Sequence, residues 1–230
     1  MKIKYLIFIS LITFLILSSN LWATPSYGTD MPKKHGFFTG LEYNIIVERD
    51  LKNNNGRIKN SDKFLMLSYG IFDWLSIDLK AGAGSVTYKD SAVGDLKFRN
   101  NFAGAYGFRI KLFESKNKFL KITTAFQHIS VHPKGASTPA GKYTIIVDEW
   151  FGSTLASIKL NKFVPYFGFK AGTYDVIRWI DDSNRKRFKS EDNLGLIVGF
   201  DYWLTDKLKL NFEHHFIDEI AGSFSVGINF

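Results

Sequence analysis

The sequence predicts an all-β fold, a single antiparallel transmembrane β-barrel of about ten strands. Three observations predict it. Apolar and polar residues alternate with period two through most of residues 36–230, which is the pattern of a strand with one face in an apolar medium. The connections between these segments alternate between short and long, as expected where one end of a barrel carries turns and the other carries loops. The chain closes on an alternating strand in which Phe224, Val226, Ile228 and Phe230 share one face. Ser223, Ser225, Gly227 and Asn229 share the other. An apolar outside over a small, polar inside suits a wall that faces lipid.

The first element is a leader. Lys2 and Lys4 precede an apolar run from Tyr5 to Leu17, followed by Ser18-Ser19-Asn20 and Leu21-Trp22-Ala23. A basic start, a short apolar core and a small residue at the cut describe a signal peptide over residues 1–23. The run is shorter than the roughly 20 residues of a spanning helix, the alternative for such a stretch. Residues 24–35 follow as a periplasmic lead-in, and 36–230 form the barrel.

Ten strands are expected. The first runs from about Phe37 to Arg49, with Thr39, Leu41, Tyr43, Ile45 and Val47 on one face. The second is about Lys63 to Ile71. The third is about Trp74 to Tyr88, setting Leu75, Ile77, Leu79, Ala81 and Ala83 against Ser76, Asp78, Lys80, Gly82 and Gly84. The fourth is about Asn100 to Phe113, the fifth about Phe119 to Val131, and the sixth about Tyr143 to Leu160. The seventh, about Phe163 to Asp175, carries Pro165 near its start, where a missing amide donor is tolerated. The eighth is about Asn193 to Trp203 and the ninth about Lys207 to Ile217. The tenth ends the chain. The connections after the second, fourth, sixth and eighth strands are tight, and those after the first, third, fifth and seventh are long and polar. An even count leaves both termini at the end with the tight turns.

Composition narrows the chemistry. With 0 Cys there are no disulfides, no thiolate metal sites and no cysteine nucleophile. The formal net charge is +8, of which the leader's Lys2 and Lys4 account for two. In an exported chain this excess points to anionic lipid head groups at least as readily as to nucleic acid, and no nucleic-acid partner is expected. No phosphate loop, zinc spacing or nucleophile elbow is present, and no cofactor or metal is expected. His214 and His215 are neighbours on a strand, so they face opposite sides and cannot share a metal.

A final strand ending on Phe230, aromatic-flanked Asp turns such as Phe72-Asp73-Trp74 and Trp203-Leu204-Thr205-Asp206, and the short/long rhythm together resemble bacterial outer-membrane β-barrels. A soluble lipocalin-like barrel or sandwich would show the same alternation but lacks these three features. The resemblance implies an outer-membrane location, lipid and lipopolysaccharide as surroundings, and a barrel-assembly machinery that recognises Phe230. The lumen would then receive Glu42, Asp78, Lys80, Arg109, Lys111, Lys121, Lys159, Lys170, Asp201, Lys209, Glu213 and His215, because a mid-bilayer Lys or Arg on the lipid face costs about 2–4 kcal/mol. Either these charges pair and fill a narrow barrel, or they line a small pore with a bias toward anions.

The leading expectation is a non-enzymatic barrel, structural or a narrow channel. A second follows from His128-Ile129-Ser130. Ile122, Thr124 and Phe126 face lipid, so His128 and Ser130 share that outward face near the external end. A hairpin centred near residue 138 would put Asp148 opposite His128, giving the nucleophile–base–orienter arrangement of acyl hydrolysis. The motif resembles the outward-facing His-x-Ser of lipid A 3-O-deacylases, which implies Ser130, His128 and Asp148 as catalytic residues. Val131 stands where that family usually has Asn. A third expectation is an adhesin or receptor acting through loops, of which the segment with Arg185, Lys186, Arg187 and Lys189 is the most basic.

Overall fold

The computed structural model describes residues 28–90, 94–181 and 183–230. The leader expected over residues 1–23 lies outside them. Twelve strands form in chain order: β1 (Phe37–Asp50), β2 (Arg57–Phe72), β3 (Leu75–Asp90), β4 (Gly94–Glu114), β5 (Leu120–Val131), β6 (Ala136–Thr138), β7 (Gly141–Ile158), β8 (Phe163–Ile180), β9 (Lys186–Lys189), β10 (Leu194–Trp203), β11 (Leu208–Phe216) and β12 (Ile220–Asn229). Ten of them close into one antiparallel ring. Each hydrogen-bonds its neighbours in the order β7-β5-β4-β3-β2-β1-β12-β11-β10-β8, and β8 pairs back to β7. The first and last strands meet, with Phe38 opposite Asn229 and Tyr43 opposite Phe224. The short strands β6 and β9 lie in loops and extend β7 and β8.

The alternation sorts residues as expected over the half of the barrel nearer the tight turns. Leu41, Leu65, Leu67, Leu79, Phe102, Phe108, Phe167 and Leu196 stand outward and exposed. Glu42, Ser68, Ser76, Asp78, Arg109, Lys170, Asp201 and Lys209 stand inward and buried. Aromatic pairs mark the turn end: Phe72 stacks on Trp74 at 5.4 Å and Phe37 packs on Tyr69 at 4.7 Å.

Three strands run further than expected. The second begins at Arg57 rather than near Lys63, the fourth at Gly94 rather than Asn100, and the seventh ends at Ile180 rather than Asp175. For the second and fourth the reason is an inversion of polarity along the wall. The end of the seventh, Val176 to Ile180, is apolar on both faces and sets Arg178 opposite the buried Ile145. Beyond the apolar band, β2, β3 and β4 turn Lys59, Lys63, Thr87, Lys89, Lys97 and Arg99 outward. They turn Ile58, Val86, Tyr88, Leu96 and Phe98 inward. Those inward residues join Ile46, Leu51, Ala103, Val131, Tyr143, Ile145, Val147, Tyr174 and Val176 in one buried apolar cluster. The loop-side half of the barrel is thus packed like a water-soluble domain. A rule that equates apolar with outward stops reading strand at that level.

The chain before β1 is drawn into the turn-side mouth. Thr29 is fully buried, Thr123 Oγ1 donates to its carbonyl at 3.4 Å, and Arg109 Nη1 donates to the Asp30 carbonyl at 2.8 Å. Gly28 has φ +68°, and a Cβ there would lie 2.9 Å from both carboxylate oxygens of Asp201, so only glycine fits this approach. Residues 33–36 then cross to the rim, where the His35 amide donates to the Gly70 carbonyl at 2.7 Å.

Candidate functional site

Two parts of the molecule concentrate polar side chains: the lumen, and one strip of the outer wall.

In the lumen, inward charges on nearby strands meet at contact distance while buried, where little water screens them. Lys80 bonds both oxygens of Glu42, at 2.8 and 3.1 Å. Arg109 grips Asp78 through Nε and Nη2, both at 2.9 Å. This two-point geometry is the strong form of the pair. Lys209 reaches Asp201 at 3.2 Å. His215 lies between Glu213 at 2.7 Å and Glu219 at 3.0 Å, and the Tyr166 hydroxyl donates to Glu213 at 2.7 Å. Between these pairs and the loop end sits a larger knot. Arg49 donates to Glu149 at 2.8 Å, Asp218 at 2.8 Å and Glu219 at 3.0 Å, while Lys170 contacts the same three acids at 3.3, 3.0 and 2.5 Å. Every side chain in the knot is at most 3% exposed.

The oxygens of Glu149, Asp218 and Glu219 lie within 4.8 Å of one another, close enough for a metal ion. The guanidinium of Arg49 and the ammonium of Lys170 already supply the positive charge there.

The structure places Glu42, Asp78, Lys80, Arg109, Lys170 and Glu213 inward and buried, each with an ionic or hydrogen-bonded partner. Lys121 is only partly buried and serves the mouth, where it pairs with Asp30. Lys159 is a correction: it follows the end of β7 and is exposed at the turn side. Sequence reasoning missed Arg49, Asp218 and Glu219. Simple alternation puts Arg49 outward with Val47. A register shift between Ile46 and Glu48 turns it inward, because one extra residue flips every side chain beyond it. Asp218 and Glu219 sit in the short β11–β12 turn, where no periodicity reports a direction. His214 does face outward, opposite to His215, with its ring edge against Phe216 at 3.9 Å.

On the outer wall, β4, β5 and β7 set Tyr106, His128 and Trp150 in one row, and Gly104, Ser130 and Asp148 in the next. Asp148 thus stands opposite Ser130, not opposite His128. The hairpin register is centred one residue later than expected. The contact forms diagonally instead: His128 Nε2 and Asp148 Oδ1 are 2.6 Å apart. Trp150 stacks on His128 at 3.8 Å and donates its indole N–H to Asp148 Oδ2 at 3.0 Å. Tyr106 closes the other side of the imidazole, edge-on at 4.9 Å. Ser130 Oγ is paired with a different histidine, His132 Nε2, at 3.0 Å. The strip therefore holds a carboxylate-oriented histidine and a histidine-bonded serine side by side, on the face that carries Phe102, Phe108 and Phe126.

The basic loop residues lie apart from both places. Arg185 covers the Trp179 ring at 4.7 Å, Arg187 approaches Asp175 at 3.8 Å, and Lys186 and Lys189 bound the exposed strand β9. Phe230 is 70% exposed, with its amide bonded to the Phe37 carbonyl at 2.8 Å.

No family model matches the chain, and no curated protein does. Among solved structures it is similar to an outer membrane channel from Pseudomonas putida F1, with TM-score 0.48 and 10% identity over 90% of this chain and 100% of that one. It is also similar to the translocator domain of the autotransporter NalP from Neisseria meningitidis, with TM-score 0.46 and 10% identity over 88% and 90% of the two chains. The transport unit of the autotransporter AIDA-I from Escherichia coli gives TM-score 0.40 and 10% identity over 94% and 95%.

The mouth yields a pH prediction. Burial would raise the Asp30 carboxyl, but Lys121 and Lys209, with hydrogen bonds from Lys121 and Trp203, hold it down at about 2. A depressed carboxyl stabilises the folded state above its ordinary value, and this is lost as pH falls from about 4 toward 2. Denaturation midpoints of wild type and Asp30→Asn should differ by a constant amount above about pH 5, and the gap should shrink steadily from about pH 4 toward pH 2. A gap that persists unchanged to pH 2 would contradict this role.

Proposed function

We propose that the chain is an outer-membrane β-barrel with a closed lumen, acting at its outer wall and loop-side surface rather than as a diffusion path. The observation that carries this reading is the state of the interior. Its turn-side half is lined by paired, buried charges and capped by the 28–32 segment, and its loop-side half is filled by the apolar cluster around Ile145 and Val176. An ion crossing it would have to displace salt bridges at one level and dry side chains at the other. The membrane setting is supported by the closed ring, which leaves no unpaired strand edge, and by its exposed leucines and phenylalanines. Refolded residues 24–230 in a planar lipid bilayer should give no stable conductance steps. Reproducible single-channel steps would overturn the closed-lumen reading.

The outer-wall strip favours a second reading, an acyl hydrolase acting on membrane lipid. Ser130 Oγ is within reach of His132, and His128 is oriented by Asp148. In such a reaction the serine oxygen attacks an ester carbonyl and the histidine takes its proton. The histidine then returns the proton to the departing alcohol, and water later frees the acid from the serine. Ser130→Ala should abolish release of fatty acid from outer-membrane lipid incubated with the refolded protein. Comparing His132→Ala with His128→Ala identifies the base. Equal release by wild type and Ser130→Ala would remove this reading.

A further inference from the structure

The polarity inversion on β2–β4 leaves a cluster that neither the lumen nor the Ser130 strip uses. On the outward face of β3 and β4 the apolar rows are Leu75/Ile110, Ile77/Phe108, Leu79/Tyr106, Ala81/Gly104 and Ala83/Phe102. Leu75 to Ala83 covers about 27 Å of strand. At the usual tilt of about 40° this gives roughly 20 Å of height, close to the apolar band of a membrane barrel. The next outward positions are Ser85 and Thr87 on β3, facing Arg99 and Lys97 on β4. A β-bulge sits at this level, where the β3–β4 register shifts between Gly84 and Val86. It places Arg99 and Asn100 side by side on an exposed stretch of β4. The Lys134 amide donates to the Arg99 carbonyl at 2.9 Å, bringing that lysine alongside.

Ser85, Thr87, Lys97, Arg99, Asn100 and Lys134 line an open recess of about 590 Å³. Among the described residues none of its three cations forms an ion pair. The nearest outward acid on these strands, Asp95, lies further toward the loop and faces Lys89 at 3.9 Å. Lys59 and Lys63 add two more positive charges on the adjoining strand β2. Directly below the recess, Phe102 packs against His132 and leads down to the rings of Tyr106, Phe108 and Phe126.

From this placement we infer that the recess is a binding site for the phosphate of an anionic lipid in the adjacent leaflet, with its acyl chains lying along the Phe102–Phe126 wall. Three donors of positive charge and two hydroxyls at the edge of the apolar band suit a phosphoryl group. The apolar strip beneath suits only the lipid-borne form of it. The inference rests on the membrane reading but not on the hydrolase reading. It also gives the latter a geometry, since an ester lies below its phosphate, at the level of Ser130.

The test is native mass spectrometry of the refolded mature chain in detergent, titrated with phosphatidic acid and with phosphatidylcholine of the same acyl length. Wild type should retain phosphatidic acid over phosphatidylcholine by at least about tenfold, and Lys97→Ala/Arg99→Ala/Lys134→Ala should bring the two to near parity. Lys116→Ala/Lys118→Ala/Lys207→Ala, with the same loss of charge at the turn end, should keep the preference. Unchanged selectivity in the first triple variant would overturn the site. Displacement of the lipid by millimolar inorganic phosphate would overturn its assignment to a lipid headgroup. A wild-type chain whose gel mobility is the same with and without boiling would count against the membrane reading, and the site with it.

Discussion

The rest of the structure depends on the pairing of charges inside the ring. Once the apolar residues of a strand face outward, period two sends every polar neighbour inward. Those inward groups are almost wholly buried, so their partners must come from the protein itself. An unpaired buried charge is costly, so the inward set is stable only as pairs. Lys80 with Glu42, Arg109 with Asp78 and Lys209 with Asp201 meet this requirement strand by strand. The knot of Arg49, Lys170, Glu149, Asp218 and Glu219 does more. It ties β1, β7, β8 and the β11–β12 turn to a common centre, joining residues up to 170 apart in sequence.

On the closed-lumen reading, the same pairing is what leaves no passage. Charges that satisfy one another occupy the space a solute would need, and the 28–32 segment extends this logic to the mouth through Asp30. Above the knot the requirement relaxes. The wall there has passed the apolar band, so its outward face turns to water and charge, and its inward face closes on an apolar core. The Ser130 strip and the Lys97–Arg99–Lys134 recess sit on either side of that boundary. An outer wall can offer apolar and polar contacts together only at such a level.

Much of this was legible in the chain. The ten ring strands, their antiparallel order and most of the outward and inward residues follow from alternation, Lys159 excepted. Three things did not. The loop-side extensions of β2 and β4 were hidden because alternation there has the opposite meaning, and no period reveals which face is wet; that of β8 was hidden because Val176 to Ile180 is apolar on both faces. Arg49 was hidden by a bulge, which a pattern of strict period two cannot contain. The contact of Asp148 with His128 across a diagonal depended on a hairpin register centred one residue later than alternation places it, and that of Ser130 with His132 on the geometry just past the end of β5. Candidate residues could be named from a motif, but their partners are a property of the pairing.

The most direct test of the interior account is the stability of Arg49→Met in lipid vesicles, measured by reversible urea unfolding. Arg57→Met, whose partners Glu48 and Asp50 are exposed, serves as the control. Leaving Glu149, Asp218 and Glu219 with Lys170 alone should cost about 3–5 kcal/mol, against at most about 1 kcal/mol for the surface pair. Equal, small losses for the two variants would mean that water, not the ion pairs, fills the barrel, and the closed-lumen account would fail.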